Sequence, residues 1–461
     1  MKKTSTTKKI LLFGLPFLLV CVIIALVLFI ILGRDEDPIP DRITITYANW
    51  NLGPERDNAL ELRMLQAFMD EHPHIYVEID ASISHSHWTD SLVAAANAGR
   101  LPDVFMVDDI ADKMARGLLM DITAMVLPDV GFFDLPRIVQ EAVLINGAVH
   151  ALPFAQELHG YFVNRDLFRA LGMEPPEFGI TAPDFLDNVR TATNLAHPSI
   201  GVNSARSFVE WYPGAVSPHM GFFAYDGLGF ALNSPEMLEA IRIASELHSE
   251  GYSFEGLQDA ADYFPIGYDL GAFRTGQMAF FYGSTGLMNM MVNQIDFDWD
   301  FIGVPGGRAI TTLEVVGISA TSRHPEEAYL LASWMGFSTE GSLRRMEYAA
   351  EIGMVVDSLP LSQSTQVLNA LWQIIPAAGL REVYNAMDRV LVDGLRVLPG
   401  YIQARFSAPT GVAIVGTPHT NAGIDPLMLY SIIGDVHFPN YSAMAEELSR
   451  QQLEDAMAAL R

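Results

Sequence analysis

Several short stretches of the chain carry side chains that bind hydroxyl-rich ligands such as polyols or sugars. Aromatic rings cover the apolar faces of such ligands, and carboxylate, amide and guanidinium groups fix their hydroxyls by hydrogen bonds. Small residues let a ligand approach the backbone closely. The candidate ligand-binding residues are Asn49, Trp50, Asn51, Asp108, Asp109, Glu157, Trp211, Tyr212, Gly283 and Ser284.

Each of these candidates also has a purely structural interpretation. Trp50 fits the rim of a core as well as a ligand platform, and Asp108 or Asp109 fits the cap of a following helix, the commoner use of aspartate there. Trp211 is predicted to lie in a loop because Pro213-Gly214 follows it. The positions of the side chains in the fold decide between the two interpretations.

Beyond its N-terminal region the chain alternates between strand and helix patterns. Apolar and β-branched runs at 43–47, 75–79 and 104–107 predict buried strands, and apolar residues at helical spacing separate them. This alternation predicts a parallel, doubly wound α/β sheet, in which ligands bind beyond the carboxyl ends of the strands. Residues 49–51 and 108–109 stand at two such ends.

A turn and a proline interrupt this alternation near the first third of the chain. Asn146-Gly147, between two apolar stretches, is the strongest short signal for a β-hairpin. Pro153-Phe154 then breaks the pattern, so we expect a second lobe to begin at residue 153, with Glu157 just inside it. A further strand is predicted at 161–163 and a helix at 184–193.

Composition limits the class of protein. The chain has 461 residues, of which 50% are hydrophobic, and single cores stop growing at roughly 250–300 residues, so more than one core is expected. The net charge of −27 at pH 7 argues against nucleic acid as a partner, because phosphate binding requires a basic surface. A strongly acidic, soluble surface is the simplest interpretation of this charge.

The N-terminal region has the pattern of a membrane anchor. Residues 10–32 carry no charge and, at ~1.5 Å per residue, reach roughly 34 Å, enough to cross a hydrocarbon core of ~30 Å. Four lysines precede this transmembrane segment, so residues 1–9 are expected in the cytoplasm, with a spacer at 33–41 and the globular part outside the membrane. A cleaved signal peptide is the alternative, although no A-x-A pattern ends the segment.

Cysteine and histidine positions give little support for a metal centre, and no cofactor is expected. Cys21 is the only cysteine, so no disulfide forms within one chain, and it lies inside the transmembrane segment. His72 and His74 precede the second strand, whereas His85 and His87 follow it. A five-residue strand spans ~17 Å, too far for four ligands of one ion. Metal binding by His85 with His87 alone stays open.

Sequence signatures of common enzymes are absent. The chain has no H-E-x-x-H motif, no phosphate-binding G-x-x-x-x-G-K-[ST] loop and no dinucleotide-binding glycine fingerprint after a strand. The stretch 283–286 lacks the first glycine of a nucleophile elbow. With 55 acidic residues, a carboxylate pair suited to glycoside hydrolysis remains possible. The residues therefore favour a binding protein, with an anchored extracellular carbohydrate hydrolase as the alternative.

Short segments in a fixed order connect the chain to a known family. They are 68–78 (FMDEHPHIYVE), 98–104 (AGRLPDV), 146–154 (NGAVHALPF), 161–168 (YFVNRDLF), 273–280 (FRTGQMAF), 304–307 (VPGG), 317–319 (GIS) and 324–329 (HPEEAY). In this order they resemble the family 1 extracellular solute-binding proteins, which include maltodextrin-binding proteins, over about residues 42–360. The segment TAPD at 181–184 departs from the family's Thr-Trp-Asp, the lipobox cysteine is missing, and the last hundred residues match poorly.

The resemblance implies a protein that captures an oligosaccharide or related polar solute and delivers it to the permease subunits of an ABC importer. It implies two lobes, one from 42–152 with 303–338 and the other from 153–302 with 339–461, which close on the ligand about a hinge. We expect a monomer attached to the membrane by its N-terminal helix. A further alternative is a partner that reports ligand occupancy to a sensor receptor.

Overall fold

The structure is a computed structural model, and it describes residues 42–52, 59–264, 267–356 and 358–461. The transmembrane segment at 10–32, the spacer at 33–41 and Cys21 lie outside these described residues, so the predictions made for them are untested. Across the described ranges, no helix is both long enough and apolar enough to cross a membrane.

One mixed sheet organises the molecule, in the strand order β2-β1-β3-β10-β6-β8-β7, with β9 paired to β6 and β11 paired to β10. Strands β4 and β5 form a separate hairpin. The strands are β1 (Ile43–Ala48), β2 (Ile75–Ile79), β3 (Val104–Val107), β4 (Leu144–Ile145), β5 (Ala148–Val149), β6 (Ala151–Asn164), β7 (Ile200–Val202), β8 (Met278–Ser284), β9 (Trp299–Phe301), β10 (Ile310–Ile318) and β11 (Leu391–Val392).

Helices cover both faces of this sheet, as expected for an α/β protein. Those of eight residues or more are Ala59–Glu71, Trp88–Asn97, Ala182–Ala192, Phe208–Val216, Pro235–Ser249, Pro325–Gly336, Thr339–Glu351, Thr365–Ile374, Ala378–Asn385, Ile424–Ile432 and Ser442–Ala459. The shorter ones are Ile110–Ala115, Thr123–Val126, Val130–Phe133, Arg137–Ala142, Arg165–Ala170, Ala260–Tyr263, Asp269–Arg274 and Met288–Gln294.

The first three strands pair as the alternation predicts. Strand β1 lies between β2 and β3 and is parallel to both, which confirms the parallel arrangement. The chain leaves β1 toward β2 on one side and returns to β3 on the other, so the strand order reverses at β1. Side chains that follow β1 and β3 therefore lie at a topological switch point, where open α/β sheets bind ligands.

Strands β6 and β10 run antiparallel through the middle of the sheet. The expected break at Pro153 is wrong, because β6 continues through it for 14 residues. The register between the two strands shifts between Glu314 and Val315, and Pro153 pairs with Val315 just beyond this irregularity. A bulge disrupts the local ladder, so a residue without an N–H is accommodated without ending the strand.

Three apolar clusters form the cores of the described residues. The first is built mainly from 45–154 and 313–337, the second from 161–304 and 391–453, and the third from 254–301 and 346–390. Strand β6 contributes Leu152 to the first cluster, Tyr161 to the second and Leu158 to the third. Strands β6 and β10 are thus the structural link between the first cluster and the other two.

Local signals predict several element boundaries correctly. Asn146 and Gly147 adopt positive φ values of 52° and 82° between β4 and β5, which confirms the hairpin. The Thr181 hydroxyl accepts a hydrogen bond from the Asp184 N–H and caps helix Ala182–Ala192. The hairpin turn and the helix cap both depend on contacts within a few residues, so the local sequence predicts them.

Candidate ligand-binding site

The turn after β1 presents Trp50 at the switch point. Asn49 is only 3% exposed, and its amide donates to the Tyr47 hydroxyl at 2.8 Å while its oxygen accepts from the Asn51 N–H at 2.8 Å. Asn49 therefore holds the turn together from within, and Asn51 lies half-buried beside it. The half-buried Trp50 ring packs edge-on against Trp88, with centroids 5.3 Å apart.

Asp108 and Asp109 follow β3, and their carboxylates make different contacts. The Asp108 carboxylate lies 2.6 Å from the ammonium of the buried Lys113 and accepts from the Thr89 hydroxyl at 2.7 Å, yet its side chain stays 44% exposed. Asp109 caps helix Ile110–Ala115 by accepting from the Asp112 N–H at 3.0 Å. Asp108 is thus oriented and accessible, whereas the capping interpretation is the right one for Asp109.

Polar side chains line one face of β6 and β10 where the two strands cross between clusters. Glu157 pairs with Thr312 in the ladder, and His159 contacts the Thr312 hydroxyl at 3.2 Å. Glu314, two residues beyond Thr312, shares this face because alternate residues of a strand point the same way. Glu157 is exposed, so a carboxylate faces solvent in the middle of the sheet.

Arg396 joins this face to the turn after β1. Its guanidinium lies 2.7 Å from the Glu314 carboxylate and 5.4 Å from the centre of the Trp50 ring. Its carbonyl accepts from the N–H of Ile110, at the start of the helix beyond Asp109. The Arg396 guanidinium thus links Trp50, which follows β1, with Glu314 in the middle of β10.

The carboxyl end of β8 lies next to β6 on the side away from β10. Ser284 pairs with His159, and a Cβ placed on Gly286 would lie 3.1 Å from the Glu157 carboxylate. Tyr282 is half-buried, and its hydroxyl donates to Glu210 at 2.9 Å. Tyr282 pairs with Tyr161 of β6, which shares the strand face of Glu157 and His159. We call Trp50, Glu157, Tyr282, Glu314 and Arg396 the candidate site.

Gly283 and Ser284 have local structural reasons beside any role in binding. A Cβ on Gly283 would lie 2.8 Å from the Phe281 ring, so the glycine is needed for packing. The Ser284 hydroxyl accepts from the Gly286 N–H at 3.3 Å and caps the short 3-10 helix that follows. Both are half-buried and border the candidate site, so their contact with a ligand remains a prediction.

Trp211 and Tyr212 do not reach the candidate site. The loop predicted for them is wrong, because they lie in helix Phe208–Val216, which contains Pro213. Trp211 is 0% exposed, and its indole donates to the Tyr161 hydroxyl at 3.0 Å inside the second cluster. Tyr212 packs against the same cluster. Burial raises the pKa of its phenol, and Glu239 of the neighbouring helix Pro235–Ser249 raises that pKa further. Apolar packing of the helix outweighs the local turn signal.

The candidate-site residues absent from the sequence prediction are Tyr282, Glu314 and Arg396, and the prediction also lacks their neighbours His159 and Glu210. Glu314 had a signal, because it follows Thr312 at alternate spacing within the otherwise apolar strand Ile310–Ile318. Arg396 had none, since its position depends on β11 pairing with β10 across a long stretch of chain. The site thus includes residues from the poorly matching end of the chain.

The arrangement suits recognition of a neutral, hydroxyl-rich molecule. An indole ring offers an apolar surface, while two carboxylates, a guanidinium and a phenol offer planar or directional hydrogen-bonding groups. Such a combination of apolar walls with a few convergent polar groups is typical of small-molecule sites. The geometry therefore suits the binding of such a molecule.

Glu314 makes stability depend on pH. Burial raises the pKa of Glu314 above its ordinary value of about 4.5, Arg396 opposes the rise and Glu157 adds to it. A carboxyl with a raised pKa in the folded state stabilises that state below the unfolded pKa, and this contribution is lost as pH rises through the folded pKa. Denaturant unfolding of Glu314→Gln should therefore show its stability improving relative to wild type as pH rises above about 4.5.

The matched control for that measurement is Glu239→Gln. The hydrogen bond from Arg242 lowers the pKa of Glu239, so its contribution is lost as pH falls instead. The two variants should therefore diverge from wild type in opposite directions across the same pH series. Parallel curves for both would contradict the assignment of the raised pKa to Glu314.

The described part of the chain holds no group of three or more histidine, cysteine, aspartate or glutamate side chains arranged to bind a metal ion. His85 and His87 both lie exposed on the 3-10 helix His85–His87. Binding of a metal by this pair alone stays a hypothesis.

A separate cavity of about 400 Å³ lies on the other side of segment 391–398. Its lining is mainly apolar and includes Ile145, Phe222, Phe230, Leu398 and Met457. It contains none of the five residues of the candidate site. A lining with few hydrogen-bonding groups does not match a hydroxyl-rich ligand, so the polar face of β6 and β10 is the better site for one.

Comparison with protein families adds an independent observation. The model of the bacterial extracellular solute-binding proteins matches residues 63–367, about two thirds of the chain. The chain belongs to this family. Members are extracellular solute-binding proteins, so the globular part of this solute-binding protein is extracytoplasmic.

Solved structures share the fold of this solute-binding protein. An ABC substrate-binding protein of Listeria monocytogenes, in complex with cycloalternan, has a TM-score of 0.63 at 18% identity and covers 91% of this chain and 98% of its own. A cyclic alpha-maltosyl-1,6-maltose binding protein of Arthrobacter globiformis has a TM-score of 0.62 at 17% identity, covering 90% and 100%.

The sugar-binding protein MalE of Xanthomonas citri has a TM-score of 0.62 at 15% identity, covering 90% of this chain and 97% of its own. A comparison with curated protein sequences finds no match. Identities this low show a common fold for the solute-binding protein and its neighbours, and the ligand of each has to be argued from its own residues.

Proposed function

We propose that this solute-binding protein captures an oligosaccharide between two lobes and delivers it to the permease of an ABC importer. The observation that carries the proposal is the meeting of Trp50, Glu157, Tyr282, Glu314 and Arg396 along one face of the central strands. These residues supply an apolar ring and several hydrogen-bonding groups, which is what a sugar requires. The sugar complexes of structural neighbours support the same class of ligand.

The two lobes proposed are 42–152 with 303–338, and 153–302 with 339–461. The first apolar cluster lies largely in one and the other two clusters in the other, and β6 and β10 connect them. Several contacts cross this division, among them the ion pairs of Arg345 with Glu61 at 2.6 Å and of Arg396 with Glu314 at 2.7 Å. Rotation about the connecting strands would bring Tyr282 toward Trp50 around a ligand.

The N-terminal region supports a membrane-attached location. Residues 10–32 have the length and composition of a single membrane span, with lysines on the side expected in the cytoplasm. The globular part would then face outward, as a monomer attached next to the permease. Attachment would keep a captured solute near the transporter.

A thermal-shift screen of the full chain tests the proposal. The protein is kept in a detergent without a sugar headgroup and mixed with maltotriose, other oligosaccharides, peptides, polyamines or zinc. A sugar at ~100 times its dissociation constant should stabilise the fold by about 2.7 kcal/mol, which raises the melting temperature by several degrees. A response to zinc and to no sugar would contradict the proposal and point to His85 and His87.

A hydrolase is the second candidate, because Glu157 and Glu314 face the same side of adjacent strands. Two carboxylates are the minimum a glycoside hydrolase needs. Incubation of the chain with a labelled oligosaccharide should return the sugar uncleaved. Cleavage that disappears in Glu157→Gln or Glu314→Gln would replace the transport proposal with a hydrolase.

A further inference from the structure

Arg405 is a buried cation directly behind the candidate site. It is only 4% exposed, and each of its three nitrogens has an acceptor. Its Nε donates to Asp425 at 3.1 Å, Nη1 to the Tyr401 hydroxyl at 2.6 Å and Nη2 to Glu210 at 3.3 Å. A guanidinium with this number of fixed partners has a single orientation, so it also fixes the groups that it contacts.

Aromatic rings complete the environment of Arg405. The Phe223 ring centre lies 4.1 Å from the guanidinium carbon and that of Phe406 lies 5.0 Å away. Phe223 and Ala224 adopt φ values of 55° and 57°, which residues other than glycine rarely do. Such conformations persist where the surroundings over-determine them, and they concentrate at ligand sites. The strained turn places an aromatic face on the cation.

The helix that carries Arg405 is also irregular. Gln403–Ser407 is a turn of π-helix, a form that occurs mostly as short insertions and is frequent at functional sites. Arg405 lies in the middle of this irregular turn. Two separate backbone irregularities thus converge on one side chain.

Glu210 connects Arg405 to the candidate site. One oxygen of Glu210 accepts from Arg405, and the other accepts from the Tyr282 hydroxyl at 2.9 Å. The Tyr282 backbone is held in turn by the Asn203 amide, through bonds of 2.7 and 3.0 Å. The phenol that borders the site is therefore oriented through a chain of two contacts that begins at Arg405.

We propose that Arg405 is a positioning residue that sets the orientation of Glu210 and Tyr282, and so decides which sugar hydroxyls the site accepts. The inference rests on the proposed sugar-binding function. Arg405 and Asp425 lie beyond residue 367, where the family match ends. It gives the C-terminal region a role in the selection of the ligand.

The test combines crystal structures with calorimetric titration of the full-chain protein. Arg405→Met should separate Glu210 from Tyr282 in a crystal structure and weaken maltotriose binding at least ten-fold. Arg405→Lys should recover part of that loss, since a lysine keeps the charge. Arg381→Met is the control, because Arg381 also lies over an aromatic ring, 5.3 Å from Trp372, and is remote from the site.

A purely structural role for Arg405 is separated by placing Arg405→Lys in a Glu210→Gln background. If Arg405 acts through Glu210, its replacement should change maltotriose affinity much less there than in the wild type. Equal effects in both backgrounds would overturn the proposal. If the wild type binds no maltotriose, the sugar assignment fails, and the crystal structure of Arg405→Met still decides. An unchanged contact between Glu210 and Tyr282 would overturn the positioning role, and a broken one would support it.

Discussion

Replacement of Arg345 by methionine is expected to destabilise the folded chain by about 3–5 kcal/mol. Arg345 is 12% exposed and contacts the Glu61 carboxylate, 3% exposed, at 2.6 Å. Loss of the guanidinium removes this counter-charge from the buried Glu61 carboxylate. Removal of one member of a buried ion pair costs far more than the pair itself contributes, which is the reason for the large effect. Denaturant unfolding measures it.

Arg344→Met is the matched control for this measurement. Arg344 is the preceding residue of the same helix, but it is 45% exposed and pairs with the exposed Glu347 at 2.9 Å. Surface pairs of this kind contribute about 0–1 kcal/mol. Adding Glu61→Leu to Arg345→Met should recover much of the lost stability. Equal losses for the two arginine variants would contradict the account of the buried pair.

Replacement of Trp50 by alanine is expected to weaken oligosaccharide binding by about 2 kcal/mol or more, roughly thirty-fold. The half-buried ring is the apolar surface of the candidate site, and Arg396 lies over it at 5.4 Å. Truncation removes the surface on which the sugar would pack and releases Arg396 from its position. Calorimetric titration of wild type and variant measures the loss.

Trp372→Ala provides a control with the same chemistry in another place. Trp372 is also half-buried with an arginine over its ring, Arg381 at 5.3 Å, and it packs on the third cluster away from the candidate site. This variant should bind the sugar as the wild type does. If Trp372→Ala lost as much affinity as Trp50→Ala, general destabilisation would be the cause and Trp50 would not be a ligand contact.

The elements that the sequence predicts well are those whose signals are local. Strands β1, β2 and β3 follow from short apolar runs, and the hairpin at Asn146-Gly147 follows from the turn chemistry of two residues. The break expected at Pro153 fails because the register between β6 and β10 shifts beside the proline, with Phe154 as the extra residue of β6. The partner strand β10 lies far along the chain, so no local pattern reports this pairing.

The residues of the candidate site likewise fall into those with a local sequence signal and those placed by contacts between distant segments. Trp50 could be predicted because it follows the carboxyl end of a parallel strand, and Glu157 because it follows the expected transition between lobes. Arg396 lies at the site only because β11 adds to β10, a contact between distant segments. Trp211 was misplaced because an aromatic residue near Pro-Gly has the same appearance in a loop as in a buried helix.

Asp109 shows why residue type alone does not assign function. An aspartate after a strand serves equally as a ligand or as a helix cap, and here its carboxylate is engaged by the Asp112 N–H. Its neighbour Asp108 is oriented by Lys113 and Thr89 and remains accessible. The difference is one of side-chain direction, which depends on the packing of helix Ile110–Ala115.

A crystal structure of the full chain with the oligosaccharide selected by the thermal-shift screen tests the central claim most directly. The account predicts electron density for the sugar against the Trp50 ring, within hydrogen-bonding distance of Glu157 or Arg396, and with Tyr282 closer to Trp50 than in the unliganded protein. Density for the sugar in the apolar cavity beside Leu398, or on the outer surface, would contradict capture between the lobes at the central strands.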